Sequence, residues 1–291
     1  MPRRSFLPLA VLTLLAGCDT GTAAAPSATP SPTQNNAHTI QAIKADCMKG
    51  KGFRYVPWVR PAFTQSADDE KLASGDYEAE KAHRSKYGFN VAPLLVYRPG
   101  QETSKADNRA VDPNYATKRD LSPAQQQVYD TTAETCEAQA IKQVTGKVVK
   151  SAYDWYIQAN VMISRRLKRD LDGDPELAEL ASDMADCMAA KGYRVSGTTP
   201  TAVSAWGETT FRKEMHELAQ KEDKSIPAFD PEKQTAYLPH LTPAEARRLL
   251  DREIKAALDD LECGQRFYPA FRPKSNEVTQ QVDAEFGLLR D

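Results

Sequence analysis

No glycine-rich phosphate loop, no G-x-S-x-G and no S-x-x-K occurs in the 291 residues, which removes the usual signatures of nucleotide hydrolysis and of serine nucleophiles. Histidine is scarce, with His38, His83, His216 and His240 as the whole set. His216-Glu217 begins like the helix of a zinc protease, but Gln220 stands where the second imidazole is needed, so no two-histidine metal face is expected. The five cysteines contain no C-x-x-C pair, which argues against a site of four thiolates or of mixed cysteine and histidine. Asp170-Leu171-Asp172-Gly173-Asp174 resembles the start of a calcium loop, yet Pro175 takes the place of the required glycine and Ala181 that of the closing glutamate. The chain also lacks an excess of either charge: Lys plus Arg is 38 against 40 for Asp plus Glu. Nucleic acid is therefore not an expected partner, and no metal or cofactor is expected. Beyond the first turns no apolar run reaches the ~18–20 residues of a membrane span.

What is present starts at the N-terminus. Arg3 and Arg4 precede an apolar stretch from Phe6 to Ala16, which ends in Leu15-Ala16-Gly17-Cys18. A charged start, a short apolar core and small residues before a cysteine form a secretory signal in the right order. Here the sequence resembles bacterial lipoproteins, and the resemblance implies diacylglycerol transfer to Cys18, cleavage before it and removal of residues 1–17. Two or more acyl chains hold a protein in the outer leaflet where one binds only reversibly. The implied location is the extracytoplasmic face of a bacterial cell membrane. Residues 18–37 are rich in Ala, Pro, Ser and Thr and are expected to be a disordered tether, since they cannot bury enough apolar surface to offset their ordering entropy.

The folded part is organised around one phrase that occurs twice: Ala45-Asp46-Cys47-Met48, then Lys51-Gly52-Phe53-Arg54, and again Ala185-Asp186-Cys187-Met188, then Lys191-Gly192-Tyr193-Arg194. Leu121-Ser122-Pro123-Ala124 and Leu241-Thr242-Pro243-Ala244 repeat in the same order further along, each opening a helix with a capping box. The expected architecture is mainly α: helical unit 1 over 38–143, a connector helix within 144–172 and helical unit 2 over 173–291. Apolar spacing predicts helices from Thr39, Asp68, Pro123, about 146, Pro175, Thr209, Pro243 and Asn276, with Ser275 as the last cap and the connector's centre, Trp155 to Ile163, apolar on more than one side and buried between the units. Residues 89–97 read as a short edge strand or an extended crossing because of Pro93, and 100–119 as loop. Asp46 and Asp186 are expected to pair with Arg54 and Arg194. Lipobox, tether and repeated phrase together resemble secreted lipoproteins of high-GC Gram-positive bacteria, a resemblance that carries no known activity.

With Cys18 assigned to lipid, four body cysteines remain, an even number that implies two disulfides in an exported chain. Of three pairings the duplication selects Cys47–Cys136 and Cys187–Cys263, one within each unit. Tyr55, Trp58, Trp155 and Trp206 are the candidate ligand-facing aromatics, against the alternative that they close the core; a pocket between the two units is where they would meet. No catalytic residues are assigned. The expected function is a non-catalytic binding or interaction module of the cell envelope with an envelope ligand or protein partner. The alternatives are a cell-wall hydrolase or transferase, whose carboxylate pair would leave no motif, and a spacer without ligand.

Overall fold

The computed structural model describes residues 32–61, 66–97, 112–231 and 237–289; the leader, Cys18 and the tether up to residue 31 lie outside them. Among the described residues the chain is helical, with no strand. Its helices are α1 (Pro32–Gly50), α2 (Ala67–Ser74), α3 (Tyr77–Tyr87), α4 (Pro93–Val96), α5 (Asn114–Arg119), α6 (Pro123–Thr145), α7 (Ala152–Leu171), α8 (Pro175–Ala190), α9 (Pro200–Ser204), α10 (Trp206–Glu222), α11 (Pro243–Cys263) and α12 (Phe267–Phe286).

Most starts are dictated by side chains that accept the free N–H groups of a first turn. Ser122 and Gln125 complete a reciprocal capping box before α6, and Thr242 and Glu245 do the same before α11, with Pro123 and Pro243 at the first helical position. Asp174 caps α8 through the Glu176 and Leu177 amides, and its other oxygen takes Lys274 at 2.5 Å. Its carboxyl is shared between the cap of α8 and the Lys274 ammonium.

The two copies of the repeated phrase make the same turn. Lys51 N–H reaches Cys47 O and Phe53 N–H reaches Met48 O; Lys191 N–H reaches Cys187 O and Tyr193 N–H reaches Met188 O. Gly52 and Gly192 sit at φ of 85° and 88°, which only glycine adopts without cost. The chain then reverses so that Phe53 packs edge-on against Tyr129 of α6, and Tyr193 against Trp206. One disulfide joins α1 to α6 through Cys47–Cys136, and another joins α8 to α11 through Cys187–Cys263, with Cα atoms 5.6 Å apart in each. Asp46 and Asp186 stand exposed and do not pair with Arg54 or Arg194; Lys191 instead bridges Asp259 and Glu262 of α11.

In space the sequence halves interleave. The described residues form one compact unit, in which α3 and α4 pack on α11, and α12 lies along α7, α2 and α8. Leu177, Leu180 and Met184 of α8 bury against Phe267, Tyr268 and Phe271 of α12. A second cluster joins Val91 and Ala92 to Phe211 and Met215 of α10 and Leu249 and Leu250 of α11. A third holds Ile40, Ile141, Trp155 and Val282 together.

Several local expectations are corrected. α1 begins at Pro32, inside the expected tether: Pro32 needs no amide partner in a first turn, and nothing in 33–38 forbids helix. Residues 89–97 form no strand, because the amides of Phe89, Val91 and Ala92 are taken by the Glu253 carboxylate and Pro93 then opens α4. Residues 114–119 are helix α5. α7 starts at Ala152 and is one-faced, with Trp155 and Ala159 buried but Tyr153, Tyr156 and Val161 exposed. α10 starts at Trp206, after the short α9. The last helix starts at Phe267, runs through Pro273 and buries Ser275 mid-helix, so Ser275 is not a cap. An interior proline costs roughly 3 kcal/mol, but three buried rings return roughly 1.5–3 kcal/mol each. Packing wins over local propensity there.

Candidate functional site

The four candidate aromatics do not converge. Tyr55 lies half-buried over α1, its hydroxyl donating to Gln41 Oε1 at 2.8 Å and the Lys44 ammonium 5.0 Å above its ring. Burial raises the Tyr55 hydroxyl well above its ordinary value, and Asp112 and Glu137 add to this. Trp58 is half-buried on the exit segment after α1. Trp155 belongs to the cluster of α1, α6 and α12, where its Nε1 has no acceptor among the described residues. Trp206 belongs to the α10–α11 cluster, and its Nε1 donates to Arg194 O at 2.8 Å. Trp155 and Trp206 close different parts of the core, and Tyr55 packs beside the cluster of Met48, Tyr129 and Cys136.

A concavity lies elsewhere, between α3, α10 and α12. It is a cleft of about 860 Å³. One wall is α3 and the turn after it, with Glu80, His83, Arg84, Phe89 and Asn90; a second holds Ser204 and Glu208; the third is α12, with Tyr268, Arg272, Asn276, Thr279, Gln280 and Asp283. Leu72 and Ala73 of α2 and Leu288 and Leu289 close its edge.

Beneath the cleft sits a buried charge network. Arg84 donates through Nε to Glu80 Oε2 at 2.8 Å and through Nη1 to Asp260 Oδ1 and, at 3.2 Å, to Ala257 O. Tyr268 donates its hydroxyl to Asp260 Oδ1 at 2.6 Å, and the Arg84 guanidinium lies 4.5 Å over the Tyr268 ring. Glu80 passes its other oxygen to Arg272 Nη2 at 3.0 Å. Side-chain exposures of 5%, 5% and 1% for Arg84, Glu80 and Asp260 mean that removing any one would strand the others away from water. Burial would lower Arg84, but the surrounding Tyr268, Asp260 and Glu80 prevail and hold the guanidinium charged. Burial pushes the Asp260 carboxyl up, against the pull of Arg84 and the Tyr268 hydroxyl.

A second buried carboxylate frames the same region. Glu253, fully buried on α11, accepts the amides of Phe89, Val91 and Ala92 at 2.7, 2.9 and 2.6 Å. Gly88 makes this approach possible: its φ is 57°, and a Cβ there would stand 2.7 Å from Glu253 Cγ. Burial raises the Glu253 carboxyl, and the three amides oppose that shift. Neither of these raised acids, Glu253 or Asp260, is among the residues lining the cleft.

Two half-buried polar groups stand on the wall. Burial holds the His83 imidazole below its ordinary value; Glu80 works against this, while Arg84 and Arg272 reinforce it. His83 is therefore neutral near pH 7. Arg272 lies 5.3 Å over Tyr268 and pairs with Glu80, and its Nε is buried away from the cleft's solvent without an acceptor among the described residues. Among those residues no cluster of His, Cys, Asp and Glu is arranged to hold a metal ion.

The chain matches no protein-family model, no curated protein and no solved structure. Its site must therefore be read from its own side chains. None of the network residues stands out in the sequence as a motif, but α11 carried a readable signal. Its apolar stripe runs Ala246, Leu249, Leu250, Ala256, Ala257 and Leu261. Glu253 and Asp260 fall on that stripe, where a carboxylate needs buried partners.

Proposed function

We propose that the protein is a lipid-anchored module of the bacterial envelope that holds a ligand in the cleft between α3, α10 and α12 without transforming it. The observation that carries this reading is the cleft itself, with the half-buried Arg272 guanidinium fixed on its wall by Glu80 and Tyr268. A guanidinium held in place before binding loses little entropy when it meets a ligand. The leader pattern, the lipobox ending at Cys18 and two disulfides support an extracytoplasmic site of action. The hydrolase reading asks for two facing carboxyls of raised pKa in the cleft, and the two raised acids face backbone amides and Arg84 instead. We also read 38–143 and 173–291 as related units joined by the segment 144–172 that contains α7; the matched turns after Cys47 and Cys187 support this.

The anchor is tested by expressing the full chain and Cys18→Ala in a Gram-positive host. Wild type should sediment with membranes and Cys18→Ala should not. Equal sedimentation of both would remove the lipid from the reading.

A further inference from the structure

On the reading that Cys18 is acylated, the body works beside a bilayer, and the open side of α7 has the chemistry of a bilayer contact. Trp155 and Ala159 turn inward, into the cluster with Ile40 and Val282. At ~100° per residue, Tyr153, Ile157 and Val161 fall on the opposite side of the helix, where Tyr153 is 64% and Val161 38% exposed. Val148, 69% exposed, stands beside α7, its carbonyl held by Gln158 Nε2 at 3.0 Å. An apolar row left outward along a helix is an interaction face.

Charge tells which partner it suits. The whole chain is balanced, but between Ala138 and Arg169 it holds seven basic residues and one acid, Asp154. That acid is occupied, accepting the Lys150 amide and Gln158 Nε2. Arg166 goes to Glu285 and Arg169 to Asp170, while Lys150, Arg165 and Lys168 stand exposed at the two ends of the apolar row. Tyrosine and aliphatic side chains flanked by cations match the interface of a bilayer with anionic headgroups.

The start of α1 lies at the same end of the body. Asn36 sits where a Cβ on Gly287 would meet it at 3.2 Å, Thr145 borders the same glycine, and Ile40 packs with Trp155. Residues 19–31, between Cys18 and α1, reach at most about 50 Å. The anchor therefore keeps this end near the membrane and makes a weak contact intramolecular. We propose that the open face of α7, from Tyr153 to Lys168, docks the anchored body on the anionic phospholipid surface of the membrane that holds it.

The test is hydroxyl-radical footprinting of the full acylated chain in vesicles, read by mass spectrometry at Tyr153 and at Tyr115 of α5, 70% exposed, as the reference. In phosphatidylglycerol vesicles the oxidation of Tyr153 relative to Tyr115 should be at least ~5-fold slower than in phosphatidylcholine vesicles, the preference that one basic residue near an anionic surface provides. Lys150→Gln combined with Lys168→Gln should abolish that difference; both side chains are exposed, and thermal melting checks that the fold is kept. Equal oxidation of the two tyrosines in both lipids would overturn the docking and leave the anchor in place. Protection of Tyr153 that is the same in both lipids and deepens with protein density would overturn it in favour of a second copy of the chain on this face. Protection in phosphatidylglycerol that survives the double substitution would overturn the anionic surface as the partner. The mass of the chain reports the acyl groups separately. An unacylated chain would remove the anchor, and the same footprint on chain added to phosphatidylglycerol vesicles at low ionic strength would still decide the face: protection of Tyr153 supports the docking and its absence overturns it.

Discussion

Glu253 shows how one side chain can replace a stretch of secondary structure. Its two oxygens accept the loop amides of Phe89, Val91 and Ala92, which would otherwise need a ladder or water. Glu253→Gln keeps the shape but puts an NH2 group where one amide needs an acceptor, which should cost about 1–3 kcal/mol. The pH dependence has a definite sign. Because the folded carboxyl lies above its ordinary value of 4.5, the native state binds the extra proton, and its contribution is complete below pH 4.5 and declines as pH rises through the folded value. The stability gap between wild type and Glu253→Gln should therefore narrow from pH 4.5 upward, as measured by urea melts across that range. A gap that widens with pH would show that the three amides outweigh burial. Asp259 has the opposite sign: burial alone would raise it, but hydrogen bonds from Lys255, Tyr193 and Lys191 hold it at about 2, so its contribution is present above 3.8 and is lost as pH falls toward 2.

At the scale of elements, the helices with clear caps were legible and the ends set by packing were not. Ser122-Pro123-Ala124-Gln125 and Thr242-Pro243-Ala244-Glu245 state their starts in four letters. Phe267 does not, because Pro269 and Pro273 read as breakers, and the turn is held helical by burial of Phe267, Tyr268 and Phe271 against α8, with Phe267 stacked on Phe271 at 4.9 Å. The cleft was illegible for the same reason: Glu80, Arg84 and Arg272 look like solvated helical charge until α3, α11 and α12 are brought together. Pro273 also makes a prediction. It is exposed, and Pro273→Ala restores the amide of an interior turn, so the variant should be more stable by roughly 1–2 kcal/mol after allowing for its freer unfolded chain. A lower melting temperature would mean that the proline bend is needed for the packing around it.

The whole molecule joins what the sequence divides. Composition and cysteine number sufficed for the helical, disulfide-bonded class, but the contacts of α3 with α11 and of α12 with α7 and α2 run between distant parts of the chain. With its core spread over both halves, the body should unfold in one cooperative step, with calorimetric and van't Hoff enthalpies in agreement. Two resolved transitions would show that the halves hold together separately. Reduction should lower the melting temperature sharply, since the disulfides close separations of 89 and 76 residues and the chain-entropy account gives at most ~4–5 kcal/mol for such loops.

The bond between Cys47 and Cys136 also sets a timetable. It encloses α2, α3 and α4, whose docking surfaces on α11 and α12 lie more than a hundred residues downstream. A chain emerging from its N-terminus can close that first ring while Glu80 and Arg84 still face water, because Asp260 and Arg272 have not yet been made. The charged ring must therefore stay soluble and unburied until the last helices arrive, and a chain cut short before Pro243 would keep it that way.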